Sequence, residues 1–492
     1  MLRRAILAID QGTTNTKVVV LDERGDIAAT ASEPVDVRFP RPGWVEQDPQ
    51  SIWRTVETAV ARAVRLLPPD IEIAAVAVTN QRESSIAWDR ATGHPLGPCI
   101  TWQCRRTAPF CDELRSAGRS EMVVRRTGLA IDPLFSATKF RWLLDNIADG
   151  RARAARGEIC LGNVDGWLLW NLTDGAEHAT DLTNASRTQL LNLQTTEWDP
   201  ELLDLFGIPT AALPQLLPSS HEYGQTIPGG VLRGRVPIAS LIGDSHAALF
   251  GHAAFRPGMV KATYGTGSSL MSPIASPVAS TAGLSTTVAW AFDDRVQFAR
   301  EGNITVTGGA VDWLAALLGR ADGATQIAAL AASVSDAGGV HLVPAFAGLG
   351  APYWDPHARG LITGLTQATT AGHLARATIE SIAFQVADVF EAMQRDNEAP
   401  LTMLLADGGA SRNDSLMQFQ ADVLGCAVVR SASADLSACG AAWLAGLAIH
   451  IWASTEELTA LPRATDCFEP RMSPDERAQR CGRWHDAVRR AR

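Results

Sequence analysis

The chain begins with two short apolar runs that flank a polar turn containing glycine. Residues 5–9 and 18–21 are apolar, and between them lies the sequence DQGTTNTK at 10–17. This pattern predicts a strand, a tight turn and a returning strand. The glycine lets a ligand approach the backbone closely, and the threonine hydroxyls suit phosphate oxygens. An ordinary hairpin turn is the alternative interpretation, because the segment matches neither of the common phosphate-loop motifs.

Helix-like and strand-like patterns alternate along the rest of the chain. Asp48 followed by Pro49 predicts a helix start, and apolar residues then recur every three or four positions up to residue 67. Nearly continuous apolar runs at 73–78, 238–242 and 403–406 predict buried strands, each followed by a helix. An α/β fold is therefore expected, with polar residues at its strand ends. The Arg-rich residues after 463 predict a peripheral helix.

The chain also contains a coarse internal repeat. Residues 259–271 read as a second strand–turn–strand with GTGSS at its tip, roughly half the chain away from the first. A chain of 492 residues is too long for one ordinary core, so two large domains are expected. We predict domains at 1–252 and 253–492, with the break near residues 256–258.

Composition limits the classes of partner. The chain is 46% hydrophobic and 20% charged, with a net charge of −10, which argues against a nucleic-acid partner. No apolar stretch approaches a membrane span, and the run at 5–9 is too short for a signal peptide. The eight cysteines form no C-x-x-C pair, so mostly buried, reduced thiols are expected rather than a zinc site. A cytoplasmic protein without a membrane partner is predicted.

Polar residues at the strand ends suggest a nucleotide held in a cleft between two similar domains. Asp10 suits a Mg²⁺ ion or its water. Asp244 should project from a sheet edge, where it is either a general base or the N-cap of the following helix. Arg82 and Glu83 end another buried strand, and a solvated ion pair is the alternative to a binding role.

Several longer motifs resemble the FGGY carbohydrate kinases, and within that family the glycerol kinase group. They are GWVEQDP at 43–49, TNQRE at 79–83, WQCRRT at 102–107, TNASRT at 183–188 and GLGAPYWDP at 348–356. Residues 360–380 are similar to the second family signature, and the resemblance spans residues 6–484. It implies two actin-like ATPase (ribonuclease H-like) domains flanking a catalytic cleft. It also implies a kinase that uses ATP and Mg²⁺ to phosphorylate a primary hydroxyl of a small polyol or sugar.

The resemblance implies a role for each candidate residue. Asp244 would take the proton of the attacking hydroxyl, and Asp10 would hold the metal. Arg82 and Glu83 would bind adjacent hydroxyls, and Trp102 would pack on the carbon chain, although a lone tryptophan is often simply core. The residues implied for the nucleotide are Thr13, Thr14, Asn15, Lys17, Gly265, Thr266, Gly308, Asp312, Gly409 and Asn413. A plain strand–helix turn is the alternative for any single glycine.

Four positions depart from the glycerol kinase pattern. Leu134, Ser245 and Ser269 stand where that group has Tyr, Gln and an aromatic residue on the substrate side, and Asp312 replaces a Gln near the adenine. The lost bulk and hydrogen-bond partners predict a substrate of four or five carbons, with glycerol itself as the alternative.

Two other classes of protein are possible in principle. An actin-like or chaperone-like ATPase would have no use for Arg82, Glu83 and Trp102. A catalytically silent sugar-binding relative would not need Asp10, Thr14 and Asp244. The resemblance is also compatible with a homo-oligomer, either a dimer or a tetramer.

Overall fold

The computed structural model describes residues 2–232, 234–320, 323–397 and 399–492. Its strands are β1 (Arg3–Gln11), β2 (Asn15–Asp22), β3 (Ile27–Pro34), β4 (Glu46–Gln47), β5 (Ile71–Asn80), β6 (Ser85–Asp89), β7 (Cys99–Ile100), β8 (Ile159–Asn163), β9 (Ala179–Asp181), β10 (Leu191–Asn192), β11 (Glu197–Trp198), β12 (Gln215–Leu217), β13 (Ile238–Gly243), β14 (Met259–Tyr264), β15 (Ser268–Ile274), β16 (Ser285–Phe292), β17 (Arg295–Ile304), β18 (His341–Val343), β19 (Leu361–Thr363), β20 (Met403–Asp407), β21 (Ala427–Ser431) and β22 (Thr465–Phe468).

The helices alternate with these strands. They are α1 (Pro49–Leu66), α2 (Ala108–Ser116), α3 (Ser120–Thr127), α4 (Ser136–Asp145), α5 (Gly150–Ala155), α6 (Val164–Leu172), α7 (Leu182–Ser186), α8 (Pro200–Phe206), α9 (Asp244–Gly251), α10 (Gly308–Leu317), α11 (Gly323–Ala332), α12 (Ala371–Asp396), α13 (Asp414–Leu424), α14 (Leu436–Ala448), α15 (Thr455–Ala460) and α16 (Pro474–Ala491).

Five strands form the first sheet, in the order β13-β5-β1-β2-β3. The hairpin of β1 and β2 is antiparallel, and β2 pairs antiparallel with β3. On the other side β1 runs parallel to β5, which runs parallel to β13. The hairpin and two of the buried strands predicted from apolar runs are therefore confirmed.

The second sheet repeats this arrangement. Its central strands β17-β15-β14-β20-β21 show the same succession of two antiparallel and two parallel pairings, and β16 and β22 extend its edges. The hairpin of β14 and β15 thus occupies the place that β1 and β2 hold in the first sheet. The coarse sequence repeat reflects a repeated fold.

One predicted succession of elements was wrong. Strand β5 is followed by β6 and not by a helix. Residues 82 and 83 form a bend between the two strands, with Glu83 at a backbone φ of 58°. The apolar segment of β6 then pairs with β8 in a separate four-stranded sheet, because extended pairing buries it fully.

The predicted start of α1 and the predicted helix in the polar tail both agree with the structure. Asp48 caps α1 by accepting a hydrogen bond from the backbone N–H of Gln50 at 3.0 Å. The polar tail ends in α16, whose buried Trp484 donates to Asp388 on α12 at 2.8 Å. Trp484 is buried together with Ala487 and Val488, so one apolar face anchors an otherwise polar helix.

The two sheets face each other across α9 and α14. The apolar core between them contains Ile6 and Ala8 of β1, Met271 of β15 and Leu405 of β20, together with residues of both helices. Residues 252–258 connect α9 to β14. The division at 252/253 falls in this connection and stays a prediction.

The cysteines and helices show two further features. All eight cysteines are free, and five of them are buried. Within the described ranges, no helix is both long and apolar enough to span a bilayer.

Glycines set the separation of α9 and α14. A Cβ atom added at Gly440 on α14 would lie 1.9 Å from the carbonyl oxygen of Ala247 on α9. A Cβ at Gly251 on α9 would lie 2.4 Å from the carbonyl oxygen of Leu436. The helices therefore pack backbone to backbone, at a distance that no larger side chain allows.

We expect Gly440→Ala to destabilise the fold by roughly 1–3 kcal/mol, because backbone would have to move. The matched control is Gly482→Ala in α16, where the new Cβ would meet nothing within 4 Å. That variant should be stabilised by about 0.5–1 kcal/mol, since alanine is the better helix former. Urea denaturation measures both, and equal stability of the two variants would contradict the packing argument.

Candidate active site

Strand ends bring the predicted catalytic and substrate residues to one edge of the first sheet. Asp10 lies near the end of β1, residues 81–83 directly follow β5, and Asp244 begins α9 directly after β13. These three strands are neighbouring and parallel, so their carboxyl ends meet at the same edge. The predicted residues therefore share one site.

Five side chains of alternating charge form a connected chain at this edge, here called the charge chain. Asp244 Oδ1 lies 3.3 Å from Arg82 Nε, and Arg82 Nη2 lies 2.7 Å from Glu301 Oε1. Glu301 Oε2 lies 2.5 Å from Nη1 of Arg187, whose Nε donates to Glu83 Oε1 at 2.6 Å. Asp244 and Glu83 are the two ends.

Burial makes these contacts strong. Arg187 and Glu301 are completely buried, and Arg82 and Glu83 nearly so. Burial alone would raise the pKa of Glu301, but Arg187 and Arg82 outweigh it and hold that pKa far below its usual value. The side chain of Asp244 stays 37% exposed, so this end of the chain is open to a ligand. Burial raises the pKa of Asp244, and Arg82 opposes this.

The backbone of Glu83 is held in the left-handed region by three donors. Its carbonyl oxygen accepts hydrogen bonds from Lys139 Nζ at 3.0 Å, Ser85 Oγ at 3.1 Å and Ser136 Oγ at 3.3 Å. Burial lowers the pKa of Lys139 to about 8. These bonds compensate for an unfavourable backbone conformation and thereby fix the direction of the Glu83 carboxylate.

Trp102 connects this group to the first hairpin. Its indole Nε1 donates to Thr13 Oγ1 at 2.9 Å, and the residue is 38% exposed. The backbone carbonyl of Thr13 accepts from Gln47 at 2.7 Å. Trp102 is therefore not a core residue, which favours the predicted role as a wall of the substrate site.

The first hairpin presents an open tip. The backbone N–H of Gly12 donates to the carbonyl of Asn15 at 2.9 Å, and Thr14 and Asn15 are exposed. Lys17 forms an ion pair with Asp435, next to the start of α14. Burial and the negative charge of Asp244 raise the pKa of Asp10 to about 7. The tip can take an anion, and the Asp10 carboxylate below it favours a cation.

The second hairpin is closed over by α10. The backbone N–H of Gly308 donates to the carbonyl of Gly265 at 3.0 Å, and a Cβ at position 308 would lie 2.6 Å from that oxygen. Glycine is needed there for the contact. Thr266 is exposed at the tip, and Asp312 is exposed one turn into α10.

The end of β20 adds a third glycine turn. Gly408 has a φ of 93°, and a Cβ there would lie 2.5 Å from the carbonyl oxygen of Tyr264 on β14. Gly409 has open space in place of a side chain. Asn413 caps α13, where its Oδ1 accepts from the N–H of Leu416 at 3.1 Å. This group lies along the second sheet and not at the charge chain.

The substrate-side departures lie around the charge chain. Ser269 Oγ donates to Glu301 Oε1 at 3.2 Å, which places it beside Arg82. The backbone N–H of Ser245 donates to Asp244 Oδ1 at 2.6 Å. Leu134 is half-buried, and its carbonyl oxygen accepts from Lys139. The small side chain at 269 leaves room next to the Arg82 guanidinium.

Sequence reasoning missed Arg187, Glu301, Lys139 and Lys261. Lys261 on β14 is completely buried, and among the described residues its Nζ has no hydrogen-bond partner. A signal was present in the composition. Of 43 cationic residues only three are lysines, at positions 17, 139 and 261, and all three lie at this site. Arg187 was also part of a motif, TNASRT, that had no assigned role.

Comparison with known proteins agrees with this geometry. Residues 5–251 match the model of the N-terminal domain of the FGGY family of carbohydrate kinases, and residues 260–449 match its C-terminal domain. The chain belongs to the FGGY family of carbohydrate kinases. The resemblance found in the sequence and the predicted two-domain α/β fold of the actin-like ATPase type are thereby confirmed.

Relatives of this FGGY kinase match it along nearly its whole length. Glycerol kinase 2 of Thermotoga maritima is 48% identical over 99% of this chain and 98% of its own. The glycerol kinase of Polaromonas naphthalenivorans is 49% identical over 98% of both chains. The crystal structure of Plasmodium falciparum glycerol kinase with ADP superimposes with a TM-score of 0.93, at 33% identity over 99% of this chain and 98% of that one.

Proposed function

We propose that this FGGY kinase transfers the γ-phosphoryl group of ATP to a primary hydroxyl of a small polyol or sugar. The observation that carries the proposal is the charge chain, whose ends are Asp244 and Glu83. It sets a partly exposed carboxylate beside a guanidinium and a second carboxylate. A base next to a donor and an acceptor is what a polyhydroxylated acceptor requires.

Asp244 acts as the general base in this proposal. The substrate hydroxyl oxygen forms a bond to the γ-phosphorus, the bond from that phosphorus to the β–γ bridging oxygen breaks, and ADP leaves. The hydroxyl proton passes to the Asp244 carboxylate. Arg82 donates to a neighbouring substrate hydroxyl and Glu83 accepts from another, so that the reactive oxygen is aligned. Trp102 covers the carbon chain.

The two hairpins bind the nucleotide phosphates in this proposal. Thr13, Thr14, Asn15 and Lys17 serve one side, and Gly265, Thr266 and Gly308 serve the other. The adenosine lies along Asp312, Gly409 and Asn413. An ADP complex of the Plasmodium falciparum glycerol kinase, which shares this fold, supports a nucleotide substrate.

A Mg²⁺ ion fits the residues present. Two carboxylates, Asp10 and Asp244, lie close enough for one charge to raise the other's pKa, and both offer the oxygen ligands that Mg²⁺ prefers. Within the described ranges, no cluster of three or more His, Cys, Asp or Glu residues could hold a metal by itself. Asp10 would therefore hold the ion together with the nucleotide phosphates, and the ion would neutralise phosphate charge.

Glycerol is the second candidate substrate, because the relatives at 46–49% identity include many glycerol kinases.

Membership in a carbohydrate kinase family argues against an actin-like or chaperone-like ATPase. A cytoplasmic location and a homo-oligomeric state also stay predictions.

We expect Asp244→Asn to keep nucleotide affinity and to lower kcat by roughly 10²-fold or more, the scale of a lost general base. Coupled ADP release measures kcat, and titration calorimetry measures nucleotide binding. The control is Asp475→Asn, which removes an acidic residue from the first turn of α16 far from the site. Near-normal turnover of the Asp244 variant would reduce Asp244 to a helix-capping residue.

An amine-specific reagent tests the phosphate role of Lys17. Lys17 is 33% exposed, whereas Lys139 and Lys261 are completely buried, so the folded protein should be modified at Lys17 alone among its lysines. ATP with Mg²⁺ should protect it, and polyol alone should not. Peptide mass spectrometry reads the modified positions, and unfolded protein provides the three-lysine control. Labelling that saturating nucleotide leaves unchanged would remove Lys17 from the phosphate site.

We expect a polyol of four or five carbons to exceed glycerol in kcat/KM across a panel of C3 to C6 polyols and ketoses. The triple substitution Leu134→Tyr, Ser245→Gln and Ser269→Phe should shift preference toward glycerol. It restores the lost bulk and the lost hydrogen-bond partners, and each restored hydrogen bond is worth about 1 kcal/mol net. If the unmodified enzyme prefers glycerol over every larger polyol, the inference from these positions is wrong and glycerol is the substrate.

A further inference from the structure

Glu301 differs from the other members of the charge chain in its origin. Asp244, Arg82, Arg187 and Glu83 all lie within residues 5–251, which match the N-terminal family domain. Glu301 lies on β17 of the second sheet, within residues 260–449 of the C-terminal domain. One carboxylate from the second sheet thus completes a substrate-binding group built on the first.

The strand that carries Glu301 is fixed from both sides. Glu301 pairs in register with Met271 of β15 and Ser285 of β16. Strand β16 in turn docks on the N-terminal part of the chain. Ser186 Oγ lies 2.7 Å from Thr287 Oγ1, and the N–H of Thr286 donates to the carbonyl of Gly128 at 2.9 Å. The carboxylate therefore has a defined position relative to Arg82.

Glu301 competes with Asp244 for the same guanidinium. The contact of Arg82 with Glu301 is 2.7 Å, whereas its contact with Asp244 is 3.3 Å. Glu301 is fully buried and holds a second cation, Arg187, so its charge is well compensated. Without Glu301, Arg82 would have Asp244 and Glu83 as its remaining anionic neighbours. It would then pair closely with a carboxylate that the substrate needs.

We propose that Glu301 is a positioning residue, which holds Arg82 away from a closed pair with Asp244 and so keeps both groups available to the substrate hydroxyls. The inference rests on the proposed polyol kinase function. It makes a residue of the second sheet part of the polyol site without requiring it to touch the polyol.

The test is the Michaelis constant for polyol measured against that for ATP. Glu301→Gln keeps the shape of the side chain and removes its charge. Because the Arg82 hydrogen bond to substrate is charge-assisted, its loss should raise the polyol KM about tenfold or more, while the ATP KM stays within twofold. Glu301→Asp keeps the charge but shortens the reach, so it should raise the polyol KM by a smaller factor that still exceeds twofold.

The matched control is Glu380→Gln. Glu380 on α12 is also buried and pairs with Arg376 at 2.7 Å, but it lies outside the charge chain. Neither KM should change more than twofold in this variant. If Glu301 had a merely structural role, Glu301→Gln would lower thermal stability, as Glu380→Gln can, and would not raise the polyol KM selectively.

Two failures are distinguishable. Absence of polyol-dependent ADP release from the unmodified enzyme would refute the proposed function. An active unmodified enzyme with an unchanged polyol KM in Glu301→Gln would refute the positioning role. If that variant does not fold, Glu301→Asp decides, and a polyol KM within twofold of normal overturns the inference.

Discussion

The candidate site depends on a buried chain of charges from which no inner member can be removed without leaving its neighbours unpaired. Each of its inner members, Arg82, Glu301 and Arg187, is paired on both sides. Removing one partner of a buried ion pair typically costs 3–5 kcal/mol, because an uncompensated charge is left in a medium of low dielectric. The inner members therefore hold one another in place. The end carboxylates remain for a substrate, together with Arg82 Nη1, which has no hydrogen-bond partner among the described residues.

Helix α9 connects the charge chain to the contact between the two halves of the molecule. Helix α9 begins with Asp244, and its other end packs against α14 at Gly251. The hydroxyl of Ser437 on α14 donates to the backbone carbonyl of Asp244 at 3.1 Å, and Asp435 just before α14 pairs with Lys17. A change in the angle between the halves would thus move Asp244 and the first hairpin together. The geometry of the candidate site is therefore coupled to the arrangement of the two halves.

Most of the fold could be predicted because its signals are local. Short apolar runs predict the buried strands, and glycine turns between such runs predict the hairpins. An Asp–Pro pair predicts the N-terminal cap of α1. The residues at the strand ends followed from the same patterns, and the family motifs supplied their roles, which stay predictions. The direct succession of β6 after β5 was missed, because a glutamate at position 83 gives no indication that its backbone φ is positive. Glu301 was missed because its partners are more than a hundred positions away in the chain, at Arg82 and Arg187.

The scarcity of lysine points to the site by a different route. Only three of the 43 cationic residues are lysines, so arginine supplies nearly all the positive charge at the surface and in ion pairs. Guanidinium is larger than ammonium and stays charged, whereas a buried amine can lose its proton. Burial lowers the pKa of Lys139 to about 8 and lowers that of Lys261 as well, so both positions favour a small cation that can be neutralised. At Lys139 and Lys261, burial therefore disfavours a side chain that stays charged, as the guanidinium of arginine does.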